Sequence, residues 1–379
     1  SYSFPIEHSC LYIEKDDSMV KETNDPYNLL IYGAPGTGKS RYIDDKLNCI
    51  SEYYEIRVKP EDDLPQDEIK NIQDNIDKAA TFMRKFVNRV TFYEDYSYEN
   101  FVGCYKPAPS EEDERVIVYK FIETYTNAKN DPENNYFLVI EELNRAKAAS
   151  VFGDMFQLLD RKNGVSEYAI TPEPALRKYL EEHIDGDAEK TTMKLPNNMY
   201  IWATMNSADQ GVFSLDSAFK RRWSFLYKDI DAPKQSGVQK ICLIKKIENG
   251  TPIIGEVRID DFRRKINDVI LASGRDEDRC IGPWFFTDDE LQKVSEYTRS
   301  VKFDEDEKGH WIRKEIENPL VDKLFAYLRQ DVFRMDSDVI FKDDEGKCNM
   351  STIRKMVADN KPISEILRID LEEELWSEP

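Results

Sequence analysis

The sequence predicts an α/β fold: a parallel five-stranded sheet flanked by helices, followed by a mostly α-helical second part. Three observations carry this. A short apolar run at Leu29–Tyr32 opens directly into a glycine-rich loop. Two further apolar runs, at Tyr136–Ile140 and Tyr200–Thr204, end in polar side chains. Helical patterns dominate after about Asp229. With strands near Val90–Tyr93 and Trp223–Tyr227 the count reaches five, and strands alternating with helices on this scale imply parallel neighbours joined by right-handed crossovers. The expected division is a lead-in at 1–27, a large α/β part at 28–229, and a helical lid with a tail at 230–379.

Residues 1–27 are polar and too few for a separate domain ahead of the first strand. Next, Gly33–Ser40, GAPGTGKS, fits G-x-x-x-x-G-K-[ST] position for position. The residue types follow from the chemistry. Gly33, Gly36 and Gly38, with Ala34, Pro35 and Thr37 between them, let the backbone turn tightly and aim N–H groups at phosphate oxygens. Lys39 brings positive charge to the β- and γ-phosphates, and the Ser40 hydroxyl ligates Mg²⁺. A helix starting here adds its positive dipole end.

A helix-like segment runs on to about Tyr54. From Asp63 to Val90 the apolar positions Ile69, Ile72, Ile76, Met83 and Phe86 recur at helical spacing and predict one long amphipathic helix. The aromatic segment Tyr93–Pro107 fits a packed loop as well as it fits a ligand contact. Val116–Thr124 reads as a strand or a helix.

The run Tyr136–Ile140 has the length and continuous apolarity of a buried parallel strand. It ends in two carboxylates: Glu141 is expected on the metal side, and Glu142 is expected to polarise the attacking water. A helix follows, with Val151, Phe152, Met155 and Leu159 on its apolar side. Residues 161–198 look like a turn-rich insertion around a short helix, ALRKYLEEHI. Asn206 lies just beyond the strand Tyr200–Thr204, where ligands of open α/β sheets bind, and can reach the γ-phosphate or its water. Lys220, Arg221 and Arg222 form a basic triplet between a helical turn and the last strand. Such a triplet is either a solvated corner or an arginine finger reaching a neighbouring subunit, worth ~10³–10⁵ in rate.

Composition bounds the rest. The 379 residues are 40% hydrophobic, with 19 Phe and 20 Tyr, enough to fill real cores. No run approaches the ~18 apolar residues of a membrane span, and the start SYSFPIEHSC lacks signal-peptide features, so a cytoplasmic protein without a membrane partner is expected. Six scattered cysteines without a C-x-x-C and three histidines argue against bridges and zinc. A net charge of −21 repels polyanions, so strong DNA binding needs a partner or a further domain.

With these blocks in order, the chain resembles the AAA+ NTPases, and within them the McrB subunits of modification-dependent restriction systems. The matching stretches are GAPGTGKS, YSYENFVGCYKP (Tyr96–Pro107), IEELNRA (Ile140–Ala146), TMNSADQG (Thr204–Gly211), LDSAFKRRWSF and RCIGPWFF (Arg279–Phe286), spanning roughly residues 25–340. The resemblance implies hexameric rings, GTP rather than the ATP of most relatives, and a partner endonuclease of the McrC type. It implies Asn206 as the sensor, with Asp209 nearby, and Arg145, Arg221 and Arg222 as candidates for action across a subunit interface. Glu141 stands where the family usually has Asp, and its extra methylene favours a water-bridged metal contact; Gln210 stands where a basic residue is common. Two other readings fit the same fold: a protein-remodelling AAA+ ATPase, and a slow nucleotide-dependent switch or scaffold.

Overall fold

The computed structural model describes residues 2–6, 9–15, 25–52, 54–58, 86–107, 114–185, 191–207, 212–234, 236–304, 310–312, 317–342 and 348–378. The expected helix over Asp63–Val90 lies almost wholly outside these residues, as do Asp209 and Gln210. Two compact units emerge: one of Ser1–Tyr32 with Lys39–Tyr227, the other of Gly33–Gly38 with Lys228–Pro379.

The first unit is built on a five-stranded parallel sheet. Its strands in chain order are β1 (Asn28–Gly33), β2 (Val87–Thr91), β3 (Tyr136–Glu141), β4 (Met199–Asn206) and β5 (Ser224–Tyr227), and their spatial order is β5-β1-β4-β3-β2. The strands with the strongest sequence signals, β1, β3 and β4, occupy the centre, which explains their unbroken apolar runs: both faces are covered. Alternation divides each strand between two cores. Leu30, Leu138, Ile140, Ile201 and Ala203 pack on one side with Phe121, Phe152 and Phe219. Leu29, Ile31, Phe137, Val139, Tyr200 and Trp202 pack on the other with Ile43 of helix α1 (Lys39–Glu52). A separate antiparallel sheet joins strands Tyr2–Ile6, Ser9–Lys15 and Tyr54–Val58, and the ambiguous stretch near Val116 resolves into a strand, Glu114–Val118, and helix α2 (Lys120–Asn130).

Beyond β3 the expected helix is shorter. Helix α3 (Ala148–Phe152) stops at Gly153, whose φ of 52° lies in the left-handed region, and a 3₁₀ segment Gly153–Leu159 continues. A Cβ at Gly153 would sit 2.7 Å from the Tyr98 ring, so close packing and a broken helix are met by one glycine. In the insertion, Asn163-Gly164 turns a two-residue hairpin, and helix α4 (Pro174–His183) follows the predicted ALRKYLEEHI.

The second unit is largely helical, with α5 (Ile259–Ala272), α6 (Asp288–Arg299) and α7 (Met350–Ala358) around one core. Thr287 and Glu290 close a capping box at the start of α6. The segment Leu320–Val332 winds mostly as π-helix. Strands also interrupt the expected helical pattern: β6 (Lys240–Glu248) and β7 (Thr251–Arg258) form an antiparallel hairpin, extended by β8 (Trp376–Ser377), and Lys302–Asp304 pairs antiparallel with His310–Ile312.

Candidate functional site

Order β5-β1-β4-β3-β2 places the carboxyl ends of β3 and β4 side by side, with Ala203 opposite Ile140. The next residues of each strand therefore meet: Glu141 and Glu142 from one, Thr204 and Asn206 from the other. The Glu141 carboxylate, 13% exposed, receives hydrogen bonds on Oε2 from Ser40 Oγ at 2.9 Å and from Thr204 Oγ1. Its Oε1 pairs with Arg89 Nη1 at 2.7 Å. Arg89 also pairs with Asp44 of α1.

Glu142 is held differently. Its backbone leaves the strand in the left-handed conformation, φ 57° and ψ 46°, and its N–H donates to Thr204 Oγ1 at 3.3 Å. A non-glycine residue there costs on the order of 1 kcal/mol or more, and it turns the side chain away from the regular alternation of the strand. Asn206 Nδ2 donates to both Glu142 oxygens, at 2.9 and 3.1 Å, and Arg145 Nε lies 3.6 Å from Oε2. Behind them the buried Asn144 donates from Nδ2 to the Asn206 carbonyl at 2.8 Å, fixing the end of β4. One hydroxyl, Thr204, thus ties together two neighbouring carboxylate residues.

The structure accordingly brings Ser40, Glu141, Glu142, Arg145 and Asn206 into one network. Arg145 contacts Glu142 of its own chain. Arg221 and Arg222 sit elsewhere, after a helical turn at Ser217–Lys220. Arg222 is not free to reach out: its Nη2 pairs with Asp160 at 2.7 Å, its guanidinium stacks 3.9 Å above the Phe156 ring, and its side chain is 8% exposed. Arg221 is the exposed member.

In the second unit, the loop Gly33–Gly38 has Gly33, Gly36 and Gly38 at φ of 150°, 71° and 81°, conformations only glycine adopts without strain. The lid segment Ile281–Phe286 binds this loop through main-chain atoms. Gly282 N donates to Pro35 O at 3.0 Å and Trp284 N donates to Gly36 O at 2.6 Å. A Cβ at Gly36 would lie 2.5 Å from the Phe285 backbone, and one at Gly282 2.5 Å from the Gly36 backbone. Thr37 Oγ1 donates to Ala34 O at 2.9 Å, and Lys39, the first residue of α1, is buried.

Sequence reasoning did not single out Arg89, Asp44, Thr204 or Asn144. A signal existed for Arg89, a lone cation in the middle of a five-residue strand. Among the described residues no three or more His, Cys, Asp or Glu side chains cluster as metal ligands. A hard hydroxyl beside a carboxylate, Ser40 with Glu141, fits Mg²⁺ bound chiefly through a nucleotide's phosphates, since Mg²⁺ takes one or two protein oxygens and keeps its remaining shell for phosphate and water.

A parallel sheet in this order, a phosphate loop after β1 and an acidic end to β3 define a P-loop NTPase of the AAA class. Residues 28–223 match the AAA domain (dynein-related subfamily), more than half of the chain, and the chain belongs to that family. It is a McrB-type AAA+ NTPase. It is 33% identical over 374 residues to the Type II restriction enzyme BsuMI component YdiS of Bacillus subtilis (strain 168), covering 92% of this chain and 90% of that one. It is 31% identical over 141 residues to the Type IV methyl-directed restriction enzyme EcoKMcrB subunit of Escherichia coli (strain K12), covering 37% of this chain and 28% of that one. No helix among the described residues is long and apolar enough to cross a membrane.

Proposed function

We propose that the chain hydrolyses the γ-phosphate of GTP or ATP with Mg²⁺, as the ring-forming motor of a DNA restriction complex whose endonuclease is a separate, McrC-like subunit. The hydrogen-bonded pair Glu142–Asn206, next to Ser40–Glu141, carries this reading. Phosphoryl transfer to water asks little covalent chemistry of a protein, so its work is positioning and electrostatics.

Each residue has a role in this reading. Backbone amides of Gly33–Gly38 and the Lys39 ammonium hold the β- and γ-phosphates. The Ser40 hydroxyl donates a hydrogen bond to Glu141 and so keeps its lone pairs directed at the metal side. Mg²⁺, held by Ser40 and Glu141 when bound with the triphosphate, would supply neutralisation of phosphate charge. Glu142 orients the attacking water and accepts its proton. The Asn206 amide fixes that carboxylate, and Arg145 steadies it from the same chain. Arg221, exposed, is the residue assigned to the neighbouring subunit's γ-phosphate, while Arg222 holds the corner through Asp160.

The restriction setting rests on the names of the relatives. Preference for GTP and a hexameric ring rest on resemblance to the McrB type, and the acidic balance of −21 suits a motor whose DNA contacts lie on a partner or a further domain. The decisive experiment is nucleotide competition run together with steady-state hydrolysis and light scattering. The expected result is displacement by GTP ahead of ATP, a several-fold rise in mass with nucleotide, and a fall in rate of ~10³ or more for Arg221→Ala. A chain that stays monomeric with bound nucleotide, and whose rate Arg221→Ala leaves unchanged, ends the ring reading.

A further inference from the structure

The Arg89 guanidinium sits where it decides the charge of the metal side. Arg89 on β2 lies opposite Val139 of β3 in the parallel register, two residues before the Thr91–Glu141 pair, so all four side chains share the sheet face that α1 covers. Asp44 follows Ser40 by four residues on α1, which puts both on one helix face. The planar fork of Arg89 spans the gap: Nη1 pairs with Glu141 Oε1 at 2.7 Å and Nη2 pairs with Asp44 Oδ1. Glu141 Oε2 already accepts two hydroxyl protons, from Ser40 and Thr204. Every oxygen of this little-exposed carboxylate is therefore engaged, and its charge is compensated by its own chain.

We propose that Arg89 makes metal uptake depend on nucleotide: it neutralises Glu141 in the nucleotide-free chain, so that a divalent cation enters together with the triphosphate rather than ahead of it. This rests on the reading of Ser40 and Glu141 as the metal side. Two carboxylates, Asp44 and Glu141, and one guanidinium leave the cluster a single net negative charge. A strongly hydrated dication gives up water only to a site with enough negative oxygen, and a unit positive charge a few ångströms away opposes it at any effective dielectric. The triphosphate brings the missing charge. Asp44 is the device that keeps the fork in place, since it holds the second nitrogen.

The test is Mn²⁺ binding to the full chain, followed by electron paramagnetic resonance, with and without a non-hydrolysable triphosphate. Without nucleotide, Arg89→Gln is expected to bind Mn²⁺ at least about tenfold more tightly than the parent, and the gain in affinity that nucleotide brings shrinks by the same factor. Asp44→Asn, which keeps the guanidinium on Glu141, is expected to bind Mn²⁺ no more tightly than the parent. Unchanged or weaker nucleotide-free affinity in a folded Arg89→Gln chain overturns the proposal. If that variant does not fold, Arg89→Lys decides: it keeps the charge, so tighter binding by it overturns the proposal and parental affinity supports it. A parent chain that binds no triphosphate at all ends the functional reading instead, and the nucleotide-free arm still decides the role of Arg89.

Discussion

The phosphate loop and the carboxylate edge of β3 are held in opposite ways. Gly33–Gly38 is gripped by main chain, through the amides of Gly282 and Trp284 on the carbonyls of Pro35 and Gly36. Glu141 and Glu142 are gripped by side chains: Ser40, Thr204, Arg89 and Asn206. Main-chain contacts are indifferent to side-chain chemistry but admit no added bulk, whereas a polar network tolerates bulk at its rim and fails when one donor is lost. The two regions should therefore respond to different kinds of substitution.

The sharpest division is expected from Glu142→Gln. Size is kept and the base is lost, so hydrolysis should fall by ~10²–10⁴ while fluorescent-nucleotide affinity stays at the parental level. Gly282→Ala changes no chemistry at all, yet its Cβ meets the Gly36 backbone at 2.5 Å. Urea denaturation should show a loss of about 1–3 kcal/mol, the usual cost of forced overpacking, together with weaker nucleotide binding. Thr204→Val is nearly isosteric and removes the hydroxyl shared by Glu141 and the Glu142 N–H. It should cost about 1 kcal/mol of stability and a measurable part of kcat, with nucleotide affinity little changed. If Gly282→Ala proved silent and Thr204→Val abolished binding, the contrast between the regions would be reversed.

The smallest effect is one of pH. Burial is the main cause that pushes the Tyr96 and Tyr98 phenols up to about 12, with Tyr93 adding to the first and Glu173 to the second. Their folded-state values lie above the ordinary 10.0, so their contribution to stability is complete below pH 10 and is lost as pH rises from 10 through 12. Denaturation midpoints measured at pH 9 and pH 11 should fall less in a Tyr96→Phe, Tyr98→Phe double variant than in the parent.

Much of this was legible in the sequence because local signals and fold agree. The glycine pattern at Gly33–Ser40, the apolar run ending at Glu141 and the strand ending at Asn206 each stand on short-range chemistry, and all three fall at the centre of the sheet. Less was legible where a contact distant in sequence decides the outcome. The hairpin β6–β7 carries a turn signal, Asn249-Gly250, with φ of 52° and 78°, but the strands around it mix basic and apolar residues and do not alternate cleanly. The helix expected with Val151 to Leu159 on its apolar side breaks at Gly153, where the Tyr98 ring packs. The Arg89–Glu141 pair joins residues 52 apart on neighbouring strands, a proximity fixed by sheet register alone.

One neighbour of the phosphate loop gives the molecule an optical handle. The Trp284 indole lies against Gly38, close enough that a Cβ there would meet it at 2.6 Å, and the Lys234 ammonium lies 5.2 Å from its ring centroid. Trp202 and Trp223 are buried in the other unit. Emission from Trp284 should therefore shift when the loop fills, so that occupancy can be followed with unlabelled nucleotide, and Trp284→Phe supplies the blank.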